Sequence, residues 1–461
     1  MMVLGVICNL PGITIAGESV PPIDERLARR LDWFQDQKFG LFLHWGIYSQ
    51  LGCIESWPLV FADRKWSNPT ISSLEEMQVF QKKYWALNRT FDPTSFEPRT
   101  WAALAKRAGM KYVMFTTKHH DGFAMFDTKQ SNYRVTASDC AYSRTPRPDI
   151  AAEVFSAFRA EGFGIGAYFS KTDWHHPAYW DPERPAIDRN PNYDTAVDPA
   201  RWSSFVSFAH HQVKELMTGY GRIDILWLDG GHNRPPKLDF EMDRLADMAR
   251  SHQPDLIIVD RAAGTKHENY RTPEKKVPDQ PPPYTWETCM TMGEQWSFKP
   301  DDNYKTTRQL IHLLVDIVAK GGNLLLNIGP QPDGKLPAVA VQRLEEIGDW
   351  MAINSEAIHG TRPIFPYKMG RFAFTRRENN VYAIYLPVEG EKGFPEELMI
   401  PGMRPKAGSQ IHLLGFDREL TWRSDGQGIV VRFPAESMSR QSDKQAFAIR
   451  IHQEAANPGR L

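Results

Sequence analysis

Short apolar runs recur along the first three quarters of the chain, and stretches of helical periodicity separate them. The runs at residues 40–44, 111–117, 164–169, 223–228 and 256–259 are rich in β-branched and aromatic types. A continuous apolar run of four to eight residues predicts a strand buried on both faces. Between the runs, residues 100–109 carry Trp101, Leu104 and Ala105 at helical spacing and stop at Gly109. Residues 150–162 repeat the pattern with Val154, Phe155 and Phe158, residues 199–218 with Phe205, Phe208, Val213 and Leu216, and residues 308–320 with Leu310, Leu313, Leu314 and Ile317. Each predicts an amphipathic helix. Strand–helix alternation over residues 21–362 predicts a parallel α/β domain. No glycine-rich dinucleotide loop follows an early strand, and polar residues gather just past several different strands. A (β/α)8-like barrel brings such strand ends to one mouth, so a barrel is expected rather than an open doubly wound sheet.

After residue 362 the pattern changes. Residues 371–376, 380–386, 397–400, 410–414, 428–433 and 446–451 read as short strands separated by Gly, Pro, Asp and Asn. No helical stretch intervenes, so residues 363–461 are expected to form an all-β sandwich domain. The one biased tract is a proline cluster, Pro281–Pro283. At the other end, residues 1–20 hold apolar runs at 2–6 and 13–16 and read as a signal remnant or an N-terminal tail, with Ala16-Gly17 resembling a cleavage site. No Lys or Arg precedes the apolar run, so a basic n-region is missing; the reading leans to a secreted or periplasmic protein over a cytoplasmic one. No run elsewhere is apolar for long enough to span a membrane.

Composition narrows the function by exclusion. A net charge of −1 and the lack of any Lys/Arg run argue against a nucleic-acid partner. Cys8, Cys53, Cys140 and Cys289 are widely spaced with no C-x-x-C pair, which predicts free, buried thiols rather than a zinc or redox motif. Nothing in the pattern specifies an oligomer.

The polar residues past the strands carry the chemistry. Asp229 closes an apolar strand and precedes two glycines. There a barrel aims a carboxylate into its mouth, where it can attack an electrophilic carbon; the bland alternative is a helix cap or a strand-end ion pair. His119 and His120 invite a metal reading with Asp121, but adjacent residues on a strand face opposite ways and chelate one ion poorly. One histidine lining the site and one packed beneath it is the expectation, with no metal and no cofactor. His44, followed by Trp45, fits the same hydrogen-bonding use. Trp57, Trp174, Trp227, Trp286 and Trp296 lie near these clusters as candidate apolar platforms for a sugar ring. Arg261, just past a strand, reads as a group that binds a hydroxyl or orients a carboxylate, or else as half of a surface ion pair.

Five segments occur in one order: Phe39-Gly-Leu-Phe-Leu-His44-Trp-Gly-Ile-Tyr-Ser49, Lys118-His-His-Asp-Gly-Phe123, Asp224-Ile-Leu-Trp-Leu-Asp229-Gly, Trp286-Glu-Thr-Cys-Met290 and Gly321-Gly-Asn-Leu-Leu-Leu-Asn-Ile-Gly-Pro330. Together they resemble glycoside hydrolase family 29, the α-L-fucosidases, from about residue 31 to 362. The resemblance implies a barrel with a C-terminal β-sandwich, no cofactor, and hydrolysis of terminal α-L-fucose from a fucosylated oligosaccharide or glycoconjugate with retention. It implies Asp229 as nucleophile, His44, His119, His120, Tyr168, Trp227 and Arg261 around the fucose, and Glu55 and Trp57 on a loop that closes over it. Glu274 is the preferred acid/base, because a residue on a flexible loop can approach the leaving oxygen. Glu287, whose Trp-Glu motif reads as a wall of the site, is the alternative. The competing functions are a non-catalytic fucose-binding protein on the same scaffold and a metal-dependent hydrolase.

Overall fold

The computed structural model describes residues 25–261, 263, 265–391, 396–434 and 445–453. The expected signal remnant at residues 1–20, with the compartment reading drawn from it, lies outside them, as does Cys8.

Seven parallel strands form the first sheet: β1 Phe39–Leu43, β2 Tyr112–Lys118, β3 Gly164–Ser170, β4 Ile225–Asp229, β5 Ile257–Asp260, β6 Glu287–Thr291 and β7 Asn323–Ile328. Their order is β5-β4-β3-β2-β1-β7-β6. Every residue of β1, β2, β3, β6 and β7 is buried, as expected where helices cover one face and side chains fill the other. Alternation sorts the two faces. Phe42, Met114, Tyr168, Trp227, Val259, Cys289 and Leu325 meet in the barrel interior, while Leu41, Val113, Phe115, Leu226 and Leu326 pack outward under the helices.

The predicted helices form at Pro98–Arg107, Ile150–Ala160, Pro199–Gly219 and Thr307–Ala319, and their starts have local causes. Asp149 accepts the Ala152 N–H, Asp198 accepts the Arg201 N–H ahead of Pro199, and Thr306 with Gln309 makes a capping box. Helix Leu74–Trp85, absent from the periodicity reading, is opened by a second capping box, Ser73 with Glu76.

No regular eighth strand closes the barrel among the described residues. Residues 269–275 run between β5 and β6 instead. The Asn269 N–H donates to the Ile258 carbonyl (2.9 Å), the Arg271 N–H to Thr285 (3.1 Å) and the Lys275 N–H to Cys289 (2.9 Å). Parallel bridges join Arg271 to Trp286 and Glu274 to Cys289. Pro273, which has no N–H, interrupts the ladder. Glu274 therefore sits on an anchored stave of the wall, not on the flexible loop expected from the family resemblance.

The C-terminal strands are β8 Arg362–Met369, β9 Phe372–Arg377, β10 Asn380–Tyr385, β11 Glu397–Pro401, β12 Ile411–Leu413, β13 Thr421–Ser424, β14 Gly428–Arg432 and β15 Phe447–His452. They make an antiparallel sheet β12-β15-β10-β9-β8 and a second, β11-β14-β13. Phe374, Val381, Ile411, Ile429, Val431 and Ile449 fill the space between the two sheets, which is the sandwich arrangement. No helix of the described residues is long and apolar enough to cross a membrane.

Candidate active site

A small cavity of about 50 Å³ opens at the carboxyl ends of the parallel strands. Asp229, the last residue of β4, lies on its wall. The Tyr168 hydroxyl donates to Asp229 Oδ2 (2.8 Å), and Arg261 (3.0 Å) and the Gly230 N–H (2.8 Å) donate to Oδ1. Gly230 makes its turn at a φ of +83°, and a Cβ there would stand 2.8 Å from Thr172 Oγ1, so only glycine fits. Burial alone would raise the Asp229 carboxyl. The Arg261 cation and the donors from Tyr168 and Gly230 outweigh it and hold the group well below the usual carboxylate range. Asp229 is thus ionised, oriented and aimed into a small hollow, the condition of a nucleophile.

Arg261 also grips Glu274: its second amino group donates to Glu274 Oε2, while the Trp296 indole donates to Oε1 (3.1 Å). Two carboxyl groups therefore share one guanidinium and stand close together across the cavity.

His44 and His119 line the cavity, His120 packs behind it within 3.8 Å of Asp229, and all three imidazoles are neutral at physiological pH. Burial drives His44 and His119 well below the ordinary histidine value and takes His120 down to about 3. Asn327 orients His44. Its amide Nδ2 donates to the Trp296 carbonyl (2.6 Å), which turns Oδ1 toward His44 Nδ1 (2.7 Å). His44 therefore carries its proton on Nδ1 and offers Nε2 as an acceptor. The Ser170 hydroxyl likewise donates to the Thr172 carbonyl (2.7 Å) and so accepts from His120 Nδ1 (2.6 Å). That leaves His120 Nε2 as an acceptor 3.8 Å from Asp229. The expectation that His119 and His120 point to opposite faces does not hold. β2 ends at Lys118, alternation stops there, and the two rings lie 4.3 Å apart at the site, with His119 held by Ser56 (2.5 Å). Asp121 turns away to the Tyr84 hydroxyl (2.9 Å) and the Phe123 N–H (3.1 Å), so it does not join them in a metal-binding triad.

The remaining residues divide. Glu55, Trp57, Trp227 and Trp296 line the same cavity, and the Tyr168 ring stacks on Trp227 (5.3 Å). Burial pushes Glu55 up to about 8, against the pull of the Ser297 N–H that donates to it (2.9 Å). Glu287 and Trp286 lie elsewhere, at the closed end of the barrel. Glu287 is the first residue of β6, fully buried, and accepts from the hydroxyls of Tyr112 (2.6 Å) and Tyr270 (3.4 Å). Trp286 fills the space over Gly322, where a Cβ would come within 2.5 Å of the ring. Phe42 and Cys289 also line the cavity, and sequence reasoning passed over both. The signal was period two: each lies two residues from a residue already singled out, His44 or Glu287, on the same strand face.

The position of Glu287 has a measurable consequence. Burial raises its carboxyl to about 7 from 4.5. A carboxyl raised by folding contributes stability that is present below its unfolded value and lost as pH climbs through its folded value. Replacing Glu287 with Gln removes this titration. The stability of Glu287→Gln relative to wild type should therefore improve between pH 5 and pH 8, by on the order of 3 kcal/mol, in urea unfolding followed at both values. A pH-independent difference would place the titration elsewhere.

The sequence model of the family described as Alpha-L-fucosidase matches residues 16–356, and that of the Alpha-L-fucosidase C-terminal domain matches residues 369–452. The chain belongs to the α-L-fucosidase family. It is 28% identical to the plasma alpha-L-fucosidase of Rattus norvegicus over 98% of this chain and 99% of that one. The solved alpha-L-fucosidase isoenzyme 1 from Paenibacillus thiaminolyticus superposes with a TM-score of 0.76 at 30% identity, covering 93% of this chain and 100% of the other. The Thermotoga maritima alpha-fucosidase, solved with a mechanism-based inhibitor, gives 0.74 at 26% identity, with 93% and 99% covered. The enzyme is thus a glycoside hydrolase acting on fucose, with a barrel and a β-sandwich.

Proposed function

We propose that the enzyme removes terminal α-L-fucose from fucosylated glycans by double displacement, with Asp229 as nucleophile and Glu274 as acid/base. The observation that carries this reading is the guanidinium of Arg261 shared by the two carboxyl groups. Retaining chemistry wants the pair about 5–5.5 Å apart, whereas inverting chemistry leaves room for a water between them. Two groups held on one guanidinium suit the shorter spacing. Asp229 attacks the anomeric carbon, and Glu274 protonates the departing oxygen and then deprotonates the incoming water. To deliver a proton, Glu274 has to leave Arg261 when substrate enters. Arg261 then remains on Asp229 and keeps it ionised until attack.

The neutral imidazoles of His44, His119 and His120 suit the hydroxyls of an uncharged sugar, since they hydrogen-bond without adding charge. Phe42, Trp227 and Trp296 supply the apolar surface that a C5 methyl needs. A second reading rests on Glu55, which lines the same cavity with its carboxyl raised to about 8. In it, Glu55 rather than Glu274 supplies the proton.

The function is tested with an aryl α-L-fucoside and a set of defined fucosylated oligosaccharides, following the first-formed product by NMR. α-L-Fucose should appear before mutarotation. Binding without turnover would instead support a fucose-binding protein, and β-L-fucose appearing first would rule out the double displacement.

A further inference from the structure

An open groove of about 610 Å³ adjoins the catalytic cavity at Glu274, and Arg261 and Glu274 belong to the walls of both. The proton donor has to stand beside the departing oxygen, so whatever that oxygen carries lies past Glu274, in this groove. Its charge is one-sided. Arg261 is already committed to Asp229 and Glu274. Apart from Arg261 and the Glu274 it holds, the charged groups on the walls are the cations Arg271, Lys275 and Lys276 and one anion, Glu268. A groove lined mainly with one sign of charge attracts the opposite sign, and because these charges are exposed the attraction is screened by salt.

The groove also has a fixed platform. Tyr284 follows the proline cluster Pro281–Pro283 and is 42% exposed, with the Arg271 guanidinium 4.3 Å from its ring centre. Prolines restrict the backbone that carries this ring. The Tyr367 hydroxyl of β8 donates to the Asp279 carbonyl (2.9 Å) and ties the same loop to the C-terminal domain. Arg271 and Lys275 are held at the backbone by their bonds to Thr285 and Cys289 on the stave beside β6. Thr272 is buried in the groove wall, and its hydroxyl has no hydrogen-bond partner among the described residues.

From these observations we infer that the groove is the leaving-group site and selects a sugar bearing an anionic substituent, a sulfate ester or a carboxylate, next to the fucose. Tyr284 stacks on that sugar while Arg271 and Lys276 meet the anion. The inference rests on the assignment of Glu274 as the acid beside the leaving oxygen.

The test compares kcat/KM for pairs of α-L-fucosyl oligosaccharides that differ only in a sulfate or a carboxylate on the sugar adjoining fucose, with an aryl α-L-fucoside alongside. The anionic member should be preferred about tenfold, chiefly through KM. The preference should shrink as salt rises to about 0.5 M, where exposed charges are screened. Lys276→Glu should abolish it, and Arg271→Ala should weaken it, whereas a merely structural defect would lower both members of a pair alike. The sulfate and carboxylate arms decide which anion the groove reads. Equal kcat/KM within both pairs, or a preference that salt and Lys276→Glu leave unmoved, overturns the inference while leaving fucoside hydrolysis intact. Failure to cleave the aryl fucoside overturns the proposed function itself.

Discussion

Asp229→Asn should cut kcat on an aryl α-L-fucoside by roughly 10⁴-fold or more, the scale seen when a nucleophile is removed from a catalytic unit. The fold should survive, because the amide oxygen still accepts from the Gly230 N–H, the Tyr168 hydroxyl can turn to accept from the amide NH2, and Arg261 keeps Glu274 as a counter-charge. Near-wild-type circular dichroism and fucose binding measured by calorimetry would separate lost chemistry from lost structure. Stereochemistry sharpens the test. If Asp229 is trimmed to Gly and azide is added, one displacement replaces two, and the fucosyl azide formed should have the inverted, β configuration. A slow-turnover fluorinated fucoside should label the wild-type peptide that contains Asp229 and leave the variants unlabelled. The pH profile has a fixed sign as well. Arg261, Tyr168 and Gly230 overcome burial and hold this carboxyl below the usual range, so kcat/KM for an activated aryl substrate, which reports only the step up to the fucosyl-enzyme, should hold as pH falls through the ordinary carboxylate value near 4. A fully active Asp229→Asn enzyme, or a label on another carboxylate, would remove Asp229 from the reaction.

The parts of the site that could be read from sequence are those where local pattern and barrel geometry coincide. Asp229 stands where an apolar run meets two glycines, and parallel-barrel topology alone sends such a position to the mouth. The same logic located His44, Arg261 and the His119-His120 pair. It gave no direction for Glu287. A strand is chemically active at its carboxyl end, and β6 begins at Glu287 and ends at Thr291, so this glutamate falls at the closed end while Cys289, two residues on, reaches the cavity. A short apolar run shows that a strand exists but leaves its ends uncertain by the two residues that decide this. The stave at residues 269–275 was illegible for another reason. It has no apolar run, Pro273 breaks its ladder, and its pairing with β6 is a long-range fact with no local trace. Asn327 left a fainter sign, one amide in the run Leu-Leu-Leu-Asn-Ile. Only the fold reveals that it orients both His44 and the backbone at Trp296.

The acid/base is decided by a comparison of three glutamates. Loss of a general acid–base costs about 10²- to 10⁴-fold, and the loss is uneven. A natural fucoside needs its leaving oxygen protonated, whereas an activated aryl fucoside does not. Glu274→Ala should therefore lose most of its rate on a fucosyl oligosaccharide and much less on the aryl substrate, where the fucosyl-enzyme forms but its hydrolysis lacks a base. Azide needs no base, so it should restore turnover of Glu274→Ala on the aryl substrate. The azide formed should have the retained, α configuration, because both displacements still occur. Glu287→Ala should show no rescue, since that carboxyl lies at the closed end among Tyr112 and Tyr270. Glu55 is the informative control. With its carboxyl raised to about 8, it is protonated near neutrality and can donate a hydrogen bond to the sugar, a role an amide can share. Wild-type KM should then rise as pH passes 8, and Glu55→Gln should not follow it. Rescue by azide of Glu55→Ala in place of Glu274→Ala would transfer the acid role to Glu55. Arg261 would then be a permanent clamp on Glu274, and the groove beyond that residue would no longer adjoin the leaving oxygen.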